Sequence, residues 1–170
     1  MMDFLMKLEN LPFSEWLHES NSIFAFPMFL FLHTLGMSMI AGVSAVIDLA
    51  CLGFWPRIYV KPLGRLYPLL WTGFWINVAT GLALTISDAT TKLINPIFYI
   101  KMSFVAGGMI ILVMMRKRVF DAPNTDESSS SGSTRRLAWV SLICWLGAIT
   151  AGRLLAYLGP VSGAGNLTNH

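Results

Sequence analysis

Residues 24–48 read FAFPMFLFLHTLGMSMIAGVSAVID, and this stretch decides the fold. From Ile23 to Ile47 no residue carries a formal charge at pH 7, over a length that exceeds the ~20 apolar residues a helix needs to cross a bilayer. One histidine, His33, lies inside this run. An ionisable side chain at membrane depth is expensive to leave without a partner, so His33 is the first candidate for a functional residue.

A helical projection of this run has two different sides. At 100° per residue, Met37, Ser44 and Asp48 fall within about 60° of His33, and small residues occupy the adjoining arc. Bulky aliphatic side chains such as Leu35 occupy the opposite half. This pattern predicts a helix with one packed side, which includes His33, and one side that faces lipid.

The composition is that of an integral membrane protein. The chain has 170 residues, of which 55% are hydrophobic and only 12% charged, whereas a soluble domain carries about 25% charged residues. The pI near 9.1 does not indicate nucleic-acid binding, because the basic residues group where membrane topology places them. No cleavable signal peptide is expected. Cys51 and Cys144 are interpreted as inert apolar residues rather than a disulfide or a metal pair.

The predicted fold is an all-α, integral membrane four-helix bundle with an N-terminal interfacial amphipathic segment. Tyr67-Pro68 and Asn95-Pro96 mark helix starts, since proline suits the first turn and asparagine caps it. The predicted segments are the interfacial segment at 1–22, spans at about 23–52, 67–87, 96–115 and 137–158, a flexible cytoplasmic linker at 119–136, and an outward-facing tail at 159–170.

Lysine and arginine residues set the expected orientation. Most of the twelve lie in the connections after the first and third spans: Arg57, Lys61, Arg65, Arg116, Lys117, Arg118, Arg135 and Arg136. The positive-inside rule places these connections in the cytoplasm. Both termini are therefore expected outside, which is the periplasm if the protein is in the inner membrane of a Gram-negative bacterium.

Three ionisable groups converge on the outer half of the predicted bundle. His33 is expected roughly 15 Å below the outer surface, and Lys101 and Arg153 about 8 Å below it, at 1.5 Å per residue. Each later span also has an expected inner face that carries polar or small residues. These faces are Asn77, Gly81 and Asp88 in the second span, Lys101, Gly108, Leu112 and Met115 in the third, and Thr150, Arg153 and Tyr157 in the fourth.

This arrangement suggests a haem b site. Neutral imidazole is a good iron ligand, glycines leave space for a flat ring, and cations nearer the surface suit the two propionates. His33 is the candidate iron ligand, with Lys101 and Arg153 above it. The second ligand stays open: His18 could fold in from the interfacial segment, whereas Met37 shares the His33 helix. Five-coordinate iron, or two copies of His33 across a dimer, are also open.

The structural alternative is equally simple. His33 could donate to a carbonyl or hydroxyl group of a neighbouring span, while Lys101 and Arg153 extend outward or pair with Asp88. Asp48, near the inner end of the first span, is expected to pair with Arg57, Arg65 or a basic residue flanking the third or fourth span. A proton-relay role is its other interpretation.

Several of these residues carry a resemblance. The matching pieces are His33-Thr-Leu-Gly, Ile47-Asp-Leu-Ala-Cys-Leu-Gly, Asp88-Ala-Thr with Asn95-Pro before Lys101, and Ala151-Gly-Arg-Leu-Leu-Ala-Tyr157. Together they resemble a family of small bacterial four-helix membrane proteins known only as a domain of unknown function. More distantly, the chain is similar to the haem-dependent membrane protoporphyrinogen oxidase of bacteria and to copper-resistance D membrane proteins.

The resemblance implies a functional pair of a histidine in the first span and a lysine opening the third, at the positions of His33 and Lys101. The oxidase-like proteins have a further histidine near the end of the third span, where this chain reads Met114-Met115-Arg116.

Three functions therefore stay open. The first is electron transfer by bound haem, alone or as the membrane subunit of a redox complex, between quinol and a periplasmic partner. The second is a porphyrinogen-oxidising enzyme in which Lys101 and Arg153 hold substrate carboxylates. The third is a cofactor-free anchor or scaffold. A small bundle of this kind is expected to assemble with itself or with other subunits.

Overall fold

The computed structural model describes residues 26–54, 60–121 and 131–157, and the regular structure within them is helical. The helices are α1 (Phe26–Leu52), α2 (Tyr67–Ile86), α3 (Ala89–Lys92), α4 (Pro96–Met115) and α5 (Gly132–Tyr157). A 3-10 helix at Lys61–Leu66 precedes α2, and a π-helical turn at Arg116–Phe120 extends α4. The predicted interfacial segment and tail, with His18, lie outside the described residues.

Four of these helical segments are long and apolar enough to cross a membrane: Phe26–Leu52, Lys61–Ile86, Pro96–Phe120 and Gly132–Leu155. Large apolar side chains cover their outward surfaces, including Phe31, Leu82, Ile110 and Leu146, each about 60% exposed. Such a surface suits lipid rather than water. The protein is a multi-pass membrane protein with an all-α transmembrane bundle, as the composition predicts.

Local sequence signals end and begin the helices. After α1, Gly53 adopts a φ of +83°, which glycine tolerates because it lacks a Cβ. The Gly53 N–H then donates to the Ala50 carbonyl and the Phe54 N–H to the Leu49 carbonyl, which is the Schellman arrangement. The Asn95 side chain accepts from the Ile97 N–H at 2.9 Å, so the predicted cap of the third span is confirmed.

Helix α1 lies at the centre of the bundle. It packs against α2 on one side and α5 on the other, while α4 packs mainly against α5. Consequently, α1 is the most buried of the four, and its predicted packed side is confirmed, with Ser44 and Asp48 both almost fully buried. Ile40 and Val43 are also buried, because a helix with two neighbours encloses more than one face.

Two glycines bring α1 and α2 into close contact. A Cβ added to Gly36 would lie 2.8 Å from the Gly73 carbonyl oxygen and 2.9 Å from the Asn77 backbone nitrogen. A Cβ on Gly73 would lie 2.6 Å from the Cβ of Met39. Small residues at such crossings let helix backbones approach closely in a membrane. This crossing sets the position of His33 relative to α2.

The inner face predicted for the fourth span is wrong. Thr150, Arg153 and Tyr157 are exposed on α5, and Tyr157 is 66% exposed. The buried face is instead formed by Thr134, Ala138, Ser141, Trp145, Ala148 and Ala151. These residues are mostly small, so this face approaches α1 closely, whereas the long side chains project outward.

Helix α4 has the limits predicted for the third span, whereas the limits of the fourth span differ from the prediction. Helix α5 begins at Gly132 rather than Leu137, because Thr134 and Ala138 are already buried against the bundle. At the end of α4, the π-helical turn keeps the backbone helical to Phe120 and directs Val119 and Phe120 inward. The Phe120 ring packs edge-on against Tyr67, with ring centroids 5.3 Å apart.

Candidate functional site

His33 lies two turns into α1, where its ring meets α2. The Nδ1 atom is 3.2 Å from the Asn77 carbonyl oxygen and 3.1 Å from the Thr80 hydroxyl oxygen. The Asn77 side-chain amide donates back to the His33 carbonyl at 2.9 Å. His33 is therefore fixed to α2 by hydrogen bonds in both directions.

These partners define the tautomer of His33. A carbonyl oxygen can only accept, so Nδ1 must carry the proton that it donates to Asn77. The Thr80 hydroxyl donates to the Ile76 carbonyl at 2.7 Å, which leaves its oxygen to accept from the same Nδ1–H. The neutral imidazole consequently has its lone pair on Nε2, on the side facing away from α2.

Lys101 faces that lone pair from α4. Its Nζ lies 3.4 Å from Nε2 of His33, and its aliphatic stem passes 3.7 Å from the position of a Cβ on Gly152 of α5. Lys101 is only partly exposed, and among the described residues no acid lies within ion-pair distance of it. An ammonium group with a neutral imidazole as its polar partner is an unusual arrangement within a membrane bundle.

Other predicted residues lie beside this pair. A Cβ on Gly81 would come within 3.0 Å of the His33 Cε1 atom, so this glycine makes room for the imidazole edge. At the end of α3, Lys92 donates to the Leu84 carbonyl of α2 at 2.6 Å and pairs with Asp88 at 3.6 Å. Burial lowers the pKa of Lys92, and the Asp88 carboxylate opposes this effect.

The structure does not bring the remaining predicted residues to His33. Gly108 is covered by the indole of Trp145, which a Cβ there would approach to 3.0 Å. Met37 packs into the hydrophobic core. Arg153 and Tyr157 are exposed on α5. Within the described ranges, no group of three His, Cys, Asp or Glu side chains is placed to hold a metal ion.

Thr80 is the site residue that the sequence analysis missed. It lies three residues after Asn77, which places both on one face of α2. That spacing is a usable signal, because Asn77 and Gly81 belong to the same predicted inner face. Gly36 and Gly73 were also missed, although they determine how closely α1 and α2 approach.

A second polar cluster lies between α1 and α5, nearer the other end of the bundle. The Trp145 indole N–H donates to the Ser44 hydroxyl oxygen at 2.8 Å, and Ser44 lies 3.3 Å from the Ser141 hydroxyl oxygen. Ser44 also lies 3.4 Å from a carboxylate oxygen of Asp48, which is 1% exposed.

No basic side chain in the part of the chain that the structure describes forms an ion pair with Asp48. Arg57, one of the expected partners, lies outside the described residues. The carboxylate is held by serine hydroxyls instead. No buried side-chain nitrogen or oxygen atom in the described residues lacks a hydrogen-bond partner. Both polar clusters are therefore internally satisfied.

The chain has no significant match among protein-family models, curated proteins or solved structures.

Proposed function

We propose that the protein binds haem b through His33 and acts in electron transfer, alone or as the membrane subunit of a redox complex. The observation that carries the proposal is the tautomer of His33. Donation from Nδ1 to the Asn77 carbonyl leaves Nε2 as the nitrogen available to iron. Histidines that ligate metals commonly donate their other ring N–H to a carbonyl or carboxylate in this way, which orients the ring and raises its basicity.

The chemistry of the donors suits haem, but binding requires the site to open, because Lys101 and Gly81 both pack against the His33 ring. Lys101 supplies a cation that has no acidic partner among the described residues, which suits a propionate. Its Nζ lies 3.4 Å from Nε2, so it must leave that position before iron can take it. The flexible four-carbon stem of lysine permits this movement.

When bound, haem supplies a one-electron iron couple. His33 coordinates the iron, Asn77 and Thr80 hold the imidazole in the required tautomer, and Lys101 neutralises a carboxylate near it. The solvent access and polarity of the surroundings would tune the redox potential of the iron. Quinol is the proposed electron source and a periplasmic protein the proposed acceptor.

The test is a visible absorption spectrum of protein expressed with ample haem and purified in detergent. We expect a Soret band that His33→Ala removes and that His18→Ala retains. His18→Ala tests the candidate second ligand, and His170→Ala is the matched control, since it removes an imidazole outside the four spans. A band that survives His33→Ala would contradict the proposal.

A cofactor-free scaffold is the second candidate. The observation that favours it is that His33 and the Ser44 cluster join neighbouring helices with all their described buried polar atoms satisfied. On this hypothesis the purified protein has no chromophore even with ample haem. His33→Ala then lowers stability without any spectral change.

The proposed location is the bacterial inner membrane, with both termini in the periplasm. The support is the positive-inside rule, since Arg116, Lys117 and Arg118 lie at the same end of the bundle as Lys61 and Arg65. We refer to this end as the basic end. A membrane-impermeant maleimide should label Asn95→Cys in intact cells but label Ser129→Cys only after permeabilisation, both in a Cys51→Ala, Cys144→Ala background. The reverse pattern would contradict this orientation.

A further inference from the structure

A groove opens between α2 and α4 at the basic end of the bundle. It has a volume of about 270 Å³. Its lining residues are Tyr67, Trp71, Leu112, Val113, Arg116, Lys117 and Asp121. None of them belongs to the His33 site, so the groove is independent of the proposed haem.

The groove forms because α2 and α4 make few contacts with each other, although only the short helix α3 separates them in the chain. They are joined at this end by the Tyr67 hydroxyl, which donates to the Leu112 carbonyl at 3.3 Å. Phe120 packs edge-on against the Tyr67 ring, with ring centroids 5.3 Å apart. Val113 remains exposed on the outer surface, so the apolar wall of the groove continues onto the lipid-facing side of α4.

Two cations lie at the mouth of the groove. The Arg116 guanidinium is 5.2 Å from the centre of the Tyr67 ring, a cation–π contact that orients it. Lys117 follows it, and both side chains are exposed. Asp121 also lines the groove, but in the described part of the chain it forms no ion pair with either cation. The mouth therefore has an excess of positive charge.

We infer that this groove binds an anionic phospholipid, with its phosphate at Arg116 and Lys117 and its acyl chains along Leu112 and Val113. Basic pockets between transmembrane helices on the positive side of a membrane suit acidic lipid headgroups. Trp71 lies one turn from the start of α2 at the basic end, and such positions near the end of a span favour an amphipathic ring. Free phosphate would leave the apolar wall of the groove without a binding partner. A neutral quinone ring would have no charge for the two cations to bind.

Quenching of Trp71 fluorescence tests this inference. The protein is reconstituted in nanodiscs that contain phosphatidylglycerol or phosphatidylcholine with brominated acyl chains, and the Trp71 signal is taken as the difference from Trp71→Phe. We expect brominated phosphatidylglycerol to quench Trp71 preferentially at equal mole fraction. Arg116→Gln with Lys117→Gln should weaken that preference by roughly 30-fold, the effect of removing two cations near a membrane surface.

Arg135→Gln with Arg136→Gln is the matched control. It removes the same charge at the same end of the bundle, from exposed residues of α5 that do not line the groove. The preference should survive in this variant. If the double variant at the groove does not fold, Lys117→Gln alone should still weaken the preference a few-fold.

Three results would overturn the inference. They are equal quenching by the two lipids, equal loss in both double variants, and full displacement of the lipid by millimolar inorganic phosphate. The last would mean that the site recognises phosphate without the acyl chains. No residue of the His33 site is altered, and each comparison is made at equal haem content, because bound haem also quenches tryptophan fluorescence.

Discussion

At the scale of single residues, Ser44 holds the buried cluster between α1 and α5 together. Its hydroxyl accepts from the Trp145 indole and lies next to Asp48 and Ser141. Ser44→Ala leaves the indole N–H and the carboxylate without this partner. We expect it to lower the free energy of unfolding by about 1–3 kcal/mol.

Titration with a denaturing detergent, followed by circular dichroism, measures this loss. Ser38→Ala is the matched control, because Ser38 is exposed on the same helix. Its hydroxyl donates to the Thr34 carbonyl, one turn earlier in α1. It should change stability by less than about 0.5 kcal/mol. Equal effects of the two substitutions would show that the Ser44 cluster does not stabilise the bundle.

Lys92 makes the stability of the protein depend on pH. Burial lowers the pKa of its amine in the folded state below the ordinary 10.5, even though Asp88 raises it. Between this lowered pKa and 10.5, the unfolded state binds more protons than the folded state. The free energy of unfolding therefore rises as the pH increases towards 10.5. Lys92→Met should flatten that rise. Thermal unfolding of both proteins across the alkaline range measures it, and an unchanged slope would contradict the burial of Lys92.

At the scale of helices, the crossing of α1 and α2 depends on Gly36. An added Cβ would lie within 3 Å of the α2 backbone, which cannot move aside as a side chain can. Gly36→Ala should therefore separate the helices and cost about 1–3 kcal/mol of stability. It should also lengthen the hydrogen bonds between His33 and α2.

Gly42→Ala on the same helix is the control. A Cβ there meets nothing within 4 Å, so the substitution should be neutral or stabilise the helix by up to about 1 kcal/mol. The free energies of unfolding of both variants, measured in detergent, test these two expectations. If Gly42→Ala were as damaging as Gly36→Ala, the close crossing would not be what positions His33.

At the scale of the whole molecule, the order of the helices can be tested by a disulfide between α4 and α5. A Cβ on Gly107 would lie 3.4 Å from the Cys144 sulfur, so Gly107→Cys should crosslink to Cys144 on mild oxidation. With a protease site inserted between residues 122 and 130, the two halves should stay joined until reduced. Gly42→Cys should not crosslink, and failure of the Gly107→Cys variant would contradict the packing of α4 on α5.

The sequence predicts the bundle well because lipid imposes simple rules on it. Uncharged length defines the spans, and Asn95 and Pro96 define a helix start. The packed side of α1 follows from the positions of Ser44 and Asp48. The same rules fail on α5. They predict that Arg153 points inward, whereas the small residues Ala148 and Ala151 form the inward face.

The candidate site was predictable in part. An uncharged run makes His33 conspicuous, and its depth along the helix predicts that it shares the outer half of the bundle with Lys101. The partners on α2 depend on how closely two helices approach, and this distance is set by the pairing of Gly36 with Gly73. No periodicity within a single helix reveals which glycine of a neighbouring helix it meets. The tautomer of His33 therefore emerges only from the folded structure.

The most direct test of the central claim, iron coordination by Nε2 of His33, is chemical rescue of His33→Gly. The variant leaves a space the size of the missing ring, which free imidazole can fill as an axial ligand. We expect the Soret band of the wild-type protein to be absent in His33→Gly and to return with millimolar imidazole. A full Soret band in His33→Gly without imidazole, or none in the wild-type protein supplied with haem, would contradict the claim.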